Sequence, residues 1–170
     1  VESRSGAHKN WQTRVGGLDF DAPLSATQTE RITMKKLVAV AAIAGLMGST
    51  AAERAQVISW CHRLFSGLMM AIAGALRNRG KSFINRALPG PLDTPQIPEL
   101  VERGLLQIGY ILPELDAHLA NSKWVAGDNF SIADIDLLVC IDFLAWIRQS
   151  VPDECTHLKD WYQRACAHVA

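Results

Sequence analysis

Residues 53–79 run without a proline, and fourteen of the twenty side chains from Val57 to Leu76 are apolar. A stretch of that length and composition predicts a single helix of about seven turns. Glu53 opens it and Arg77, Arg79 and Gly80 close it, residues that suit the two ends of a helix dipole. Its apolar positions are too numerous for one core-facing stripe, so this helix needs partners on more than one side. The fold that supplies them is an all-α bundle.

The rest of the chain offers those partners. Pro89, Pro91, Pro95 and Pro98 punctuate a loop, after which Glu99 to Ala120 reads as a second long helix, with Leu100, Leu105, Ile108, Leu112, Leu115 and Leu119 near helical spacing. Pro113 lies inside it and is expected to kink the helix or end a segment near Leu112, because proline removes a backbone donor. Further on, Ser131 is placed to cap a helix, and Asp134 can reach back to the Ser131 amide. Phe130 and Ile135 can form a hydrophobic staple across the cap. The helix so started carries Ile135, Leu138, Val139, Asp142, Phe143 and Trp146 and is expected to be the buried centre of the bundle. Its amides then cannot rely on water, and Ser131→Ala is expected to cost about 1 kcal/mol or more.

One hundred and seventy residues are enough for one well-cored domain and short for two. Seventeen Lys+Arg balance seventeen Asp+Glu, which argues against a globally basic nucleic-acid binder. The balance is uneven along the chain: residues 52–96 hold six basic and two acidic residues, and residues 97–170 hold five basic and eleven acidic ones. Arg54, Arg63, Arg77, Arg79, Lys81 and Arg86 fall in an interval free of acid, either a solvated face with a basic loop or a surface for an anionic ligand or partner. Cys61, Cys140, Cys155 and Cys166 form no CxxC pair and are expected to be reduced thiols of a cytoplasmic protein. Cys155-x-His157 and Cys166-x-His168 lack zinc-site spacing, so no metal is expected. His62, His118 and His157 have no carboxylate or thiol partner at catalytic spacing and read as surface or packing residues.

Residues 1–51 read as an irregular leader. Val1 to Thr33 shows no persistent period. Met34-Lys35-Lys36, the apolar run Leu37 to Gly48 and the small residues Ser49-Thr50-Ala51-Ala52 admit two readings. They resemble a signal peptide, which would imply export if Met34 were the start, or they form an apolar helix on the bundle. Twelve apolar residues are too few to span a bilayer, which takes about 20 in a helix, and no membrane partner is expected.

The segment Ala126-Gly127-Asp128-x-Phe130-Ser131-x-x-Asp134-x-Asp136, after two long helices, resembles the C-terminal helical domain of the glutathione S-transferases. Leu115-Asp116-x-x-Leu119, Asp142-Phe143-x-x-Trp146 and Trp161-Tyr162-x-Arg164 extend the likeness, which runs from about Ala52 to Ala170 and leans toward the bacterial theta and beta-like groups. It implies a homodimeric detoxifying enzyme that presents glutathione thiolate to a hydrophobic electrophile. In that family a thioredoxin-like domain holds the tripeptide. About 80 residues with a βαβ pattern are expected before the first long helix, whereas residues 1–51 lack one, so a truncated transferase, inactive alone, is one expectation. A non-catalytic helical interaction module is the other. Glu2-Ser3 matches the family's glutathione-holding pair in letters without the helix that should follow, and Val151-Pro152 lies in the wrong half to serve as its cis-proline. On the electrophile side the resemblance points to Phe65, Ser66, Met69 and Met70, midway along the first helix, where methionine adapts to varied apolar ligands. Core or dimer packing is the alternative for those four residues. No GxSxG, phosphate-loop, HExxH or GxGxxG pattern occurs.

Overall fold

Thr50 sets the start of the long helix. In the computed structural model, which describes residues 34 and 45–170, α1 spans Ala51–Arg63 and opens on a complete capping box. The Thr50 hydroxyl accepts from the Glu53 amide at 3.1 Å, and the Glu53 carboxylate accepts from the Ser49 and Thr50 amides at 2.6 and 3.1 Å. The small residues Ser49 to Ala52 thus tie down a helix start. The residues from 45 onward belong to a compact unit, Ala41–Ala170. Val1 to Thr33 with Glu2-Ser3, and most of the apolar run after Met34, lie outside the described residues.

The helix then departs from plain α geometry. Leu64–Met69 is a π-helical segment, after which α2, Met70–Arg79, resumes the α pitch. Ser66 offers one cause: its hydroxyl donates to the His62 carbonyl one turn back, at 2.6 Å, and competes with the helix ladder. Gly67 offers another, since a Cβ there would come within 3.1 Å of Ile111 on the neighbouring helix. The seven-turn expectation holds in length, with a widened turn near the middle.

Helix α3, Pro98–Leu119, packs along α2. The two backbones meet at Gly104, where a Cβ would lie 2.7 Å from the Ala71 carbonyl oxygen and 3.4 Å from the Ala75 Cβ. Pro113 neither ends this helix nor splits it. The proline is exposed, and so is Gly109 one turn earlier, so water can take the carbonyl that loses its donor.

Helix α4 is Ile132–Leu144, followed by a 3-10 turn at Ala145–Ile147, and α5 is Thr156–Val169. The buried face of α4 is Ala133, Asp134, Leu137, Cys140 and Leu144, which corrects the expectation of Ile135, Leu138, Val139, Asp142, Phe143 and Trp146. Ten of the thirteen α4 side chains are apolar, so the pattern selects no face, and Val139 and Trp146 end up exposed. The core joins Leu64, Leu68 and Ile72 of the long helix to Ile108, Leu112 and Leu115 of α3, Leu137 and Leu144 of α4, and Leu158 and Trp161 of α5. The four cysteines are free.

Candidate functional site

The bundle closes around Asp134. Its carboxylate is fully buried and accepts four hydrogen bonds, from the amides of Val125 and Ser131 and the indole of Trp161 at 2.9 Å each, and from the Ser131 hydroxyl at 3.2 Å. The capping box expected at Ser131 and Asp134 is present. Its carboxylate does more than cap, because it also joins the 124–127 turn and α5 to the start of α4. Phe130 stands edge-on to Trp124 at 5.1 Å and packs on His168 at 4.3 Å, and Ile135 is half-buried. A second carboxylate works at a distance: Asp116 on α3 accepts from the Leu158 amide at 2.9 Å, in the first turn of α5, whose own N-cap Cys155 supplies no side-chain bond.

The four side chains expected at an electrophile site all sit on the π segment or its edge, yet they do not share one pocket. Phe65 and Met70 point out, 60% and 53% exposed. Met69 turns inward and packs on the core. Ser66 lines a cleft of about 490 Å³ between the long helix and α3, with Trp60, Arg63, Ile111, Glu114 and His118. In that cleft Trp60 packs on His118 at 4.3 Å, Arg63 lies over the Trp60 ring at 4.6 Å, and His118 Nε2 donates to the Val125 carbonyl at 2.9 Å. His118 is therefore a packing residue with a fixed tautomer.

What the outward pair adds is a hydrophobic ledge. Ile58 is exposed one heptad before Phe65, and the π segment sets Met70 five residues after Phe65, where a π turn repeats. Three of the thiols, by contrast, are held in their protonated form. Burial pushes the Cys140 thiol from 9.0 up to about 12, aided by the charge of Asp136. Cys61 is pushed up to about 11 by burial, then by a hydrogen bond to Asp136 and its charge. Cys155 is raised too, chiefly by burial. A thiol becomes a nucleophile as its thiolate, and these three stay protonated near neutral pH. Among the described residues no group of three His, Cys, Asp or Glu is placed to hold a metal ion.

The family model for the glutathione S-transferase C-terminal domain matches residues 76–168. This chain belongs to the glutathione S-transferase family by that domain. Its relatives include glutathione S-transferase 2 of Saccharomyces cerevisiae, 34% identical over 85 residues, which cover 48% of this chain and 36% of the yeast protein. The disulfide-bond oxidoreductase YfcG of Escherichia coli K12 is 31% identical over 114 residues, covering 66% of this chain and 46% of that one. Among solved structures, a glutathione S-transferase domain-containing protein of Marinobacter aquaeolei VT8 aligns with a TM-score of 0.60 at 29% identity, over 72% of this chain and 57% of its own. The chain thus spans less than half the length of either curated relative it matches. The transferase helical domain expected from the sequence is the observed fold.

Two parts of this arrangement escape sequence reasoning. The Thr50-x-x-Glu53 box carries a recognisable signature that the small residues around it disguise. The cap by Asp116 spans 42 residues and leaves no local signal.

Proposed function

We propose that this transferase domain forms the electrophile-binding half of an enzyme that joins glutathione to hydrophobic electrophiles. The family match over residues 76–168 carries the reading, with the exposed Phe65 and Met70 as the proposed contact for the electrophile. In the reaction the glutathione sulfur bonds to the electrophilic carbon as the leaving group departs with its electron pair, and the thiol proton passes to solvent or base. The chain's part is to hold the apolar body of the electrophile against Phe65 and Met70, with Met70 adapting to its shape. Glutathione is the only thiol this scheme needs, consistent with the raised Cys61, Cys140 and Cys155. A thioredoxin-like domain holding the tripeptide and a second copy of the chain complete the enzyme in this proposal. Exposed Leu106 and Tyr110 on α3 are apolar side chains that a second copy would cover.

The test is conjugation of 1-chloro-2,4-dinitrobenzene by the full chain joined to a thioredoxin-like domain of the family, followed as absorbance of the product and compared with that domain alone. Saturable conjugation that needs the chain supports the reading. A folded fusion that conjugates no faster than the domain alone removes it and favours a second one, a helical interaction module that uses the Ile58, Phe65 and Met70 stripe as a protein surface.

A further inference from the structure

The loop between α2 and α3 is fastened at its base and bare at its tip. At the base the Ala87 amide donates to the Thr94 carbonyl at 3.1 Å, the Thr94 amide donates to the Asn85 carbonyl at 2.9 Å, and Ala87 is buried. The Gln96 side-chain amide donates to the Arg77 and Gly80 carbonyls at 2.7 and 2.8 Å, and the Ile97 amide donates to Asn78 Oδ1 at 2.9 Å. These bonds hold the loop on the end of the long helix. Leu88 to Asp93 form the tip beyond them, with Pro89 and Pro91 fixing φ at two of its positions.

The tip is apolar and wet. Leu88 is 63% and Leu92 77% exposed, and Ile84, just before the base, is exposed too. A Cβ built on Gly90, between the two leucines, would meet no atom within 4 Å, so the tip stands clear of the bundle. Large aliphatic side chains held in water on a stiff loop mark a contact surface. The surroundings are cationic. Asp93, on the tip, is the one acid between Arg54 and Pro98, and Glu99 follows in the first turn of α3. Arg77 donates to the Arg86 carbonyl at 3.4 Å and lies over the Phe83 ring at 5.1 Å, which places it at the base of the loop. Among the described residues the Lys81 and Arg86 side chains make no hydrogen bond or ion pair.

We propose that this loop docks the protein on anionic lipid surfaces, with Leu88 and Leu92 entering the headgroup region and Arg77, Lys81 and Arg86 facing the lipid charges. Cations behind an apolar tip match the layering of such a surface, where anionic headgroups overlie hydrocarbon. The two prolines favour lipid further, because a residue without an N–H leaves no donor to be stripped of water as the tip enters. Docking of this kind needs no spanning helix. It revises the expectation of no membrane partner, which rests on spanning length alone. It is also separate from the Phe65 and Met70 ledge and does not rest on transferase activity.

The test is cosedimentation of the full chain with vesicles of phosphatidylcholine alone and of phosphatidylcholine with about 30% phosphatidylserine. Binding to the anionic vesicles is expected to be at least about tenfold tighter, and to weaken with added salt. The double variant Leu88→Ser, Leu92→Ser should lose about tenfold in affinity with its unfolding midpoint unchanged, since both side chains are exposed. Lys81→Gln with Arg86→Gln should lose about tenfold as well. Phe65→Ser should bind as the parent does. No binding to either vesicle, equal binding to both, unchanged binding in either double variant, or loss of binding on Phe65→Ser each overturns the proposal. If the double variants do not fold, Leu92→Trp supplies a second reading. Its added fluorescence should shift to the blue on the anionic vesicles and be quenched by lipids brominated on their acyl chains, and a signal that matches the parent protein overturns the docking.

Discussion

The junction at Asp134 and the ledge at Phe65 and Met70 are built on opposite terms. At the junction every polar group is buried and bonded: one carboxylate gathers four donors from the 124–127 turn, the helix start and α5. On the ledge two large apolar side chains stand in solvent above a widened turn. Burial raises the value of each hydrogen bond and the penalty for leaving a donor alone, so the junction holds the bundle together. Exposed apolar surface adds little to the stability of the isolated bundle, and in the proposed function this ledge receives the electrophile. The contrast separates the residues that make the fold from those proposed to use it.

The sharpest way to break the junction is Asp134→Ala, which strands the Val125, Ser131 and Trp161 donors. At about 1–3 kcal/mol for each buried unsatisfied group, the expected loss is on the order of 3–5 kcal/mol. Asp134→Asn keeps one acceptor oxygen and should lose roughly half as much. Urea unfolding measures both, and equal midpoints for the two variants would refute the view that acceptors decide the cost. Next in size is Gly104→Ala. The added methyl would fall 2.7 Å from the Ala71 carbonyl oxygen, a backbone atom that cannot step aside cheaply, and the expected cost is about 1–3 kcal/mol. An unchanged midpoint would mean that α2 and α3 can part without penalty.

Much of this division is legible in the residues, and the illegible parts share a cause. The proline-free run gives the long helix, and Ser131-x-x-Asp134 gives the start of α4, because both signals are local. The bonds from Trp161 to Asp134 and from Leu158 to Asp116 span 27 and 42 residues, and no spacing rule reaches that far. The face of α4 is illegible for another reason: a helix apolar on nearly all sides offers no contrast, so Trp146 reads as core and stands exposed. Phe65, Ser66, Met69 and Met70 can be placed midway along the helix from letters alone. That they diverge, two outward, one toward α3 and one into the core, depends on a π segment set by Ser66 and Gly67 in their three-dimensional setting.

A pH scan probes the buried side with a smaller effect. Cys140 has a folded pKa raised to about 12 from 9.0. A raised value means that the folded protein holds its proton longer than the unfolded chain does. The stability gained is therefore whole below pH 9 and lost as pH climbs toward 12, at up to about 1.4 kcal/mol per unit. Cys61, raised to about 11, adds to the fall in the same direction. Thermal unfolding from pH 8 to 11 should show the midpoint dropping above pH 9, and Cys140→Ala should flatten the slope. A slope unchanged in that variant would remove the thiol from the account.

The smallest effect on stability belongs to the ledge, and there smallness is the point. Phe65→Ser and Met70→Thr replace side chains that are more than half exposed, and each should shift stability within about 0.5 kcal/mol. Met69→Ala, one position from Met70 and packed on the core, should cost about 2 kcal/mol or more. If the ledge receives an electrophile, the first two variants lose catalytic efficiency toward 1-chloro-2,4-dinitrobenzene by about tenfold, since a removed apolar contact weakens binding by about 1–3 kcal/mol. Met69→Ala is then active in proportion to the fraction folded. The reverse outcome, outward variants that unfold easily and retain full activity when folded, would make Phe65 and Met70 packing residues and leave the electrophile without a platform on this helix. Neighbouring methionines, one packed on the core and one exposed beside the widened turn, let these two outcomes be told apart within one residue step.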